Sequence, residues 1–177
     1  TITRNNHYVP QWYQKGFTHD RGNELCHLSY KKITLPNGEV KNFDPKKWYT
    51  PAQCFYKTDL YTTYLGSESN DDIEKKLFGD IDGTGAQAVK AFLTDDKSKW
   101  HIHFQDLFFY IDAQKIRTPK GLDWIKSHYP KLSQNQLMIE MQSIRRLHCT
   151  LWIEGIRELV SAEDSDVKFI TSDHPVT

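Results

Sequence analysis

The chain has 177 residues, 23 basic against 23 acidic, and so no formal net charge. That balance lacks the electrostatic footprint of an avid duplex-DNA binder, although a local basic groove is compatible with it. An aromatic content of 13% argues against disorder, and no apolar run is long enough for a signal sequence or a membrane span.

Residues 1–16 are aromatic and polar by turns. Asn5 or Asn6 is predicted to cap a short helix with Pro10 near its first turn. Residues 25–30 alternate as a strand does, and Asn37-Gly38 is the strongest short hairpin signal in the chain. Residues 41–64 are rich in loops and rings, among them Phe43, Trp48, Tyr56, Tyr61 and Tyr64, and so much ring surface seeks burial over the core. Thr50-Pro51 reads as a cap and start for one helical turn.

From Asp71 a helix is predicted, with Ile73, Leu77, Ile81, Ala88, Val89 and Phe92 at helical spacing. Asp80-Ile81-Asp82-Gly83 invites a calcium-loop reading, but Ala91 stands where the bidentate glutamate would be needed. Residues 100–117 form the central prediction, a helix apolar nearly all round and therefore buried. Thr118 caps the helix that follows, Pro119 opens it, and Arg117 falls at the joint. Ser133 is predicted to cap a long helix running to about Ser161, with Leu137, Met141, Ile144, His148 and Leu151 on one line. A late strand is expected at about 166–171, broken by the Ser172-Asp173-His174-Pro175 run.

The expected fold class is α+β. It is a mainly helical single domain over 1–177, built on the buried central helix, with a small N-terminal β-hairpin and the late strand. Cys26, Cys54 and Cys149 form no CxxC pair and are expected to be buried reduced thiols in a cytoplasmic protein.

No HExxH, GxSxG or phosphate-binding glycine loop is present. The candidate chemistry is therefore His7 with Gln11, Arg117 at its corner, and Asp173 with Ser172. A buried arginine needs a carboxylate or a bound anion, since leaving one member of a buried pair alone costs about 3–5 kcal/mol. Asp173 and Asp112 are the expected partners. One reading is a structural ion pair that locks the corner to the late strand. The other is a phosphate pocket with Arg117 as fork-shaped donor, His7 as acid or base, and Asp173 as its orienter or as ligand to a divalent metal.

Three segments then carry a resemblance. Asn6-His7-Tyr8-Val9-Pro10-Gln11 with Tyr13 resembles the HYVPQ-x-Y opening of an uncharacterised, mainly prokaryotic family, domain of unknown function 4238. Arg117-Thr118-Pro119 is similar to its mid-chain RTP. Phe169 to Val176 is similar to its F-x-TSDNPV segment, with His174 where the family usually has asparagine. The resemblance puts emphasis on His7, Gln11, Arg117 and Asp173, implies no reaction, and implies that this chain lacks a C-terminal portion.

Two functions are expected from these features. The first is a hydrolase directed at a phosphate-bearing substrate or nucleic acid, nuclease- or phosphoesterase-like, with His7, Arg117 and Asp173 catalytic and Gln11, Tyr13, Ser172 and His174 binding. The alternative is a non-catalytic protein-interaction domain in which the same motifs are structural.

Overall fold

Four short antiparallel ribbons precede the four long helices, in a computed structural model that describes residues 2–18, 23–28, 32–42, 46–94, 96–155 and 160–176. Strand β1 (Asn5–His7) precedes the short helix α1 (Gln11–Gln14). Then come β2 (Leu25–Leu28), β3 (Lys32–Thr34), β4 (Val40–Asn42), β5 (Lys46–Tyr49), β6 (Tyr56–Thr58), β7 (Thr63–Leu65) and β8 (Glu68–Asn70). The pairs are β1 with β6, β2 with β5, β3 with β4, and β7 with β8.

The Asn37-Gly38 signal is correct. Gly38 sits at φ +82°, where only glycine is free of strain, and β3 and β4 pair across it. Strand β2 takes the more distant β5 instead, with Leu25 opposite Tyr49. Ser29, Tyr30 and Phe43 lie outside the described residues. Asn5 and Asn6 cap no helix. They belong to β1, and Asn6 Oδ1 accepts the Tyr61 backbone N–H at 3.2 Å. The Thr50-Pro51 start does form a turn over Pro51–Gln53, with Gln53 Oε1 accepting from the Thr50 N–H at 3.0 Å. Of the ring-rich segment, Tyr61 is sealed, whereas Trp48, Tyr56 and Tyr64 stay exposed.

The helical part begins with a wide, π-type turn over Ile73–Phe78 that runs into α2 (Gly79–Phe92). Helix α3 (Lys97–Ile116) starts at the Asp96 cap, and α4 (Pro119–His128) starts at Thr118. Helix α5 (Gln134–Glu154) is opened by a Ser133–Gln136 capping box. The core lies where these helices meet the 60–61 segment. Leu60, Tyr61, Phe78, Ala113, Ile116, Leu122, Ile125, Leu137, Met138 and Met141 form one cluster. No helix is long and apolar enough to cross a membrane among the described residues.

Three expectations need correction. Helix α3 is buried on one face of its second half only: Phe108, Tyr110, Ala113 and Ile116 are enclosed, but Phe109 among them reaches solvent, as Phe104 does in the first half, where Ile102 is 73% exposed. Its first half has no neighbour to cover it all round. Helix α5 ends at Glu154, not near Ser161, because Gly155 leaves the helical region at ψ 149°. Its apolar line is sealed at Leu137 and Met141 and emerges at Leu151. Residues 166–171 form no strand. A strand needs a hydrogen-bonded neighbour; every described strand pairs elsewhere, and Val167, Phe169 and Ile170 stand 65–89% exposed. Among the cysteines, Cys54 is buried as expected but Cys26 is exposed; the Cys149 side chain lies outside the described residues.

Candidate functional site

Arg117 ends α3 at a corner that the sequence makes tight. Thr118 accepts the Gly121 N–H through its hydroxyl oxygen at 3.2 Å, and Pro119 supplies a preset φ for the first helical position. A Cβ at Gly121 would lie 2.5 Å from the Ile116 carbonyl oxygen, so α4 can start this close to α3 only with glycine there. The Arg117 side chain is wholly enclosed, with no exposed surface.

Every edge of its guanidinium has an internal neighbour. Nε and Nη2 both donate to Gln114 Oε1, at 3.2 and 2.8 Å. Nη1 meets Asp82 Oδ1 at 2.9 Å, an ionic contact out of line for a hydrogen bond. The plane lies over the Phe78 ring, Cζ to centroid 5.1 Å. The expected partners, Asp173 and Asp112, are therefore replaced by Asp82. The distance along the chain hid this pairing, because α2 folds back along α3 and sequence spacing carries no record of that.

A second carboxylate joins the pair. Glu74 lies on the wide turn and Asp82 on α2, eight residues apart. In a regular helix, at ~100° per residue, positions eight apart diverge by about 80°. The wide turn takes up an extra residue, so the interval acts as seven, close to two full turns; Asp82 then touches Arg117 and Glu74 lies within its electrostatic range. Burial pushes Glu74 up to about 7, against the pull of Arg117 and with the push of Asp82. Burial also raises Asp82, again opposed by Arg117. Tyr110, enclosed on α3, feels both Arg117 and Asp82, and burial raises its phenol strongly.

The HYVPQ segment is fastened to this cluster through its backbone. Gln114 Nε2 donates to the Tyr8 carbonyl oxygen at 2.7 Å, and Gln14 Nε2 to that of Val9 at 2.8 Å. The His7 backbone N–H favours the ionised form of Glu74, which marks the two as neighbours. The His7 ring turns away from the cluster: Nε2 donates to the Ala52 carbonyl at 3.2 Å and the ring leans on Tyr56. A carbonyl only accepts, so the proton sits on Nε2. The exposed Gln11 amide, 3.4 Å away, cannot then donate to that nitrogen. Burial lowers the His7 pKa, partly offset by Ala52. Tyr13 packs edge-on against Trp12 and at a tilt against Phe17 and Tyr110.

The TSDHP segment reaches the same corner by another residue. His174 Nδ1 lies 2.6 Å from the Thr118 hydroxyl, whose oxygen also accepts the Gly121 N–H. Ser172 Oγ accepts the His174 N–H at 3.1 Å. Asp173 is exposed, and its charge helps burial to push the Tyr8 phenol up to about 12. No three His, Cys, Asp or Glu side chains among the described residues are grouped to hold a metal.

The three motifs thus meet at one corner, but their most chemical side chains do not meet each other. Arg117 is enclosed with Asp82, Glu74 and Gln114; the His7 ring and the Asp173 carboxylate lie apart from it. Glu74, Asp82 and Gln114 were not singled out by sequence reasoning. One signal for Gln114 was available, a glutamine three residues before a buried arginine on the same helix face. Beside the corner lies an open cleft of about 170 Å³, lined by Lys57, Asp59, Pro119, Asp123, Lys126 and Gln134 among others.

A family model described as "Protein of unknown function (DUF4238)" matches residues 5–151. No curated protein and no solved structure matches the chain.

Proposed function

We propose that this chain, which belongs to the protein family of unknown function DUF4238, is a protein-interaction domain whose motif residues are structural. The observation that carries this is the complete enclosure of Arg117 by Asp82, Gln114 and Phe78. A phosphate-directed hydrolase would need a guanidinium edge turned toward its substrate, and here the whole group is shut away from solvent, with Nε and Nη2 donating to Gln114 and Nη1 beside Asp82. The His7 ring likewise spends its donor on a backbone carbonyl.

Large apolar side chains left outside the core support a docking role. Leu147 and Leu151 stand one turn apart on α5, 66% and 62% exposed, and Val167, Phe169 and Ile170 are bared on the extended 160–176 segment.

The test pairs an interior variant with a surface one. Arg117→Ala should lose cooperative thermal unfolding by circular dichroism, while Leu147→Glu should melt like the parent. A photo-crosslinking residue at position 151 should then give one discrete protein adduct in cells, abolished by Leu147→Glu. Hydrolysis of bis(4-nitrophenyl) phosphate by the purified chain, lost in a folded Arg117 variant, would overturn the proposal in favour of the hydrolase.

A further inference from the structure

The tip of the β3–β4 ribbon carries a chemically labile pair. Asparagine is among the thermolabile residues, and Asn37 is the one asparagine in the sequence followed by a glycine. Gly38 has no Cβ to hinder the approach of its own nitrogen to the Asn37 side chain. Both residues are exposed, so water and hydroxide reach them.

The reaction open to this pair needs only water. The Gly38 nitrogen gives up its proton to hydroxide and bonds Asn37 Cγ, the bond from Cγ to Nδ2 breaks, and ammonia leaves with a proton from water. The product is a five-membered succinimide. Water then adds to one of its two carbonyls. Opening at Cγ gives aspartate; opening at the main-chain carbonyl gives isoaspartate, whose main chain runs through Cγ and is longer by a methylene.

The turn activates the carbon and withholds the nucleophile. Asn37 Oδ1 accepts the Glu39 N–H at 3.1 Å, which draws electron density from Cγ. The Gly38 N–H, however, donates to the Leu35 carbonyl oxygen at 2.9 Å, so the proton that must leave is held. The leaving amide is held too, as Nδ2 donates to Glu39 Oε2 at 3.1 Å. The Leu35 N–H closes the turn on the Glu39 carbonyl oxygen at 2.8 Å.

We propose that Asn37 is a self-modifying site gated by the β3–β4 hairpin: the closed turn withholds the Gly38 nitrogen, and each opening lets the succinimide form. The outcome is one-way. Isoaspartate puts an extra main-chain atom into a turn whose register sets Thr34 opposite Val40. Aspartate puts a carboxylate where Nδ2 now donates to Glu39, so an attraction becomes a like-charge repulsion. Either product leaves a ribbon that closes less well than the original.

The experiment incubates the whole chain in mildly alkaline buffer, with and without urea, and follows residue 37 by peptide mapping and mass spectrometry, with isoaspartate scored by enzymatic methylation. In urea, conversion at Asn37 should outrun that at every other asparagine. Without urea it should be about tenfold or more slower, because a reactive conformer populated at about 10% or less limits the rate. Pro36→Ala frees φ at the turn and should bring the native rate toward the urea rate while leaving the latter unchanged. Equal rates with and without urea, or an Asn37 that converts no faster in urea than the other asparagines, would overturn the proposal. Both readings come from the unmodified chain, so they decide it whether or not the variant folds.

Discussion

The Tyr61 hydroxyl donates to the Arg117 carbonyl oxygen at 2.7 Å, across 56 residues of sequence and wholly out of water. That carbonyl stands at the end of α3, where a helix leaves its last acceptors without intrahelical partners. A phenol from the loop before β7 thus completes the corner. Tyr61→Phe removes the donor and keeps the ring against Phe78, 4.6 Å away. The expected loss is about 1–3 kcal/mol in urea unfolding, because a buried acceptor is left unsatisfied. A loss near zero would mean water reaches the carbonyl.

Two glycines in the helical region should answer alanine in opposite ways. Gly121→Ala drives a Cβ into backbone carbonyls at 2.5 and 2.7 Å, atoms that cannot swing aside. Unfolding should come at clearly lower denaturant, a loss of roughly 1–3 kcal/mol by analogy with overpacking. Gly83 meets nothing within 4 Å in the middle of α2. Gly83→Ala should be neutral or stabilising by up to about 1 kcal/mol through helix propensity alone.

The sequence told the corner but not its partners. Thr118-Pro119 is a local signal, since capping and a preset φ act within a few residues, and so the joint at Arg117 could be read directly. Asp82 was in view within Asp80-Ile81-Asp82-Gly83, yet its role depends on a wide turn that shifts the phase of Glu74 against it. No local periodicity announces such a turn. The 166–171 segment shows the converse: its alternation and ring content suit a strand, but pairing is decided by neighbours elsewhere in space. The burial of α3 was overread for the same reason, as an apolar sequence cannot say which half will find a covering partner.

His174 should act as a local anchor rather than a global prop. Its Nδ1 lies 2.6 Å from the Thr118 hydroxyl, while most of the 160–176 segment around it is exposed. His174→Ala is expected to speed proteolysis within 160–176 with little change in melting temperature, whereas His174→Asn, which keeps an acceptor, should retain most protection. Acid should mimic the alanine variant. Burial and the nearby Lys120 lower the His174 pKa, so the folded state binds a proton less readily than the unfolded one. The anchor is therefore complete above the unfolded value of about 6.5 and is lost as pH falls through the lower folded value.

Glu74 gives the opposite slope. Its carboxyl is pushed up to about 7 from an ordinary value of 4.5, so stability is full at mild acidity and declines as pH rises between those values. At one pKa unit per 1.36 kcal/mol, the decline is of order 3 kcal/mol by pH 8. Guanidinium midpoints measured from pH 5 to pH 8 should show that fall in the parent and a flatter profile in Glu74→Gln.

The claim on which the account rests is that Arg117 is held inside as part of the frame, and a double-mutant cycle with Asp82 tests it most directly. Arg117→Gln, Asp82→Asn and the double variant would be compared by urea unfolding at pH 6. The account predicts that each single change costs several kcal/mol, of order 3–5. The double variant should cost much less than their sum, leaving a coupling of about 1–3 kcal/mol. Single variants as stable as the parent, with a coupling within about 0.3 kcal/mol of zero, would contradict it and return Arg117 to the role of a free anion donor.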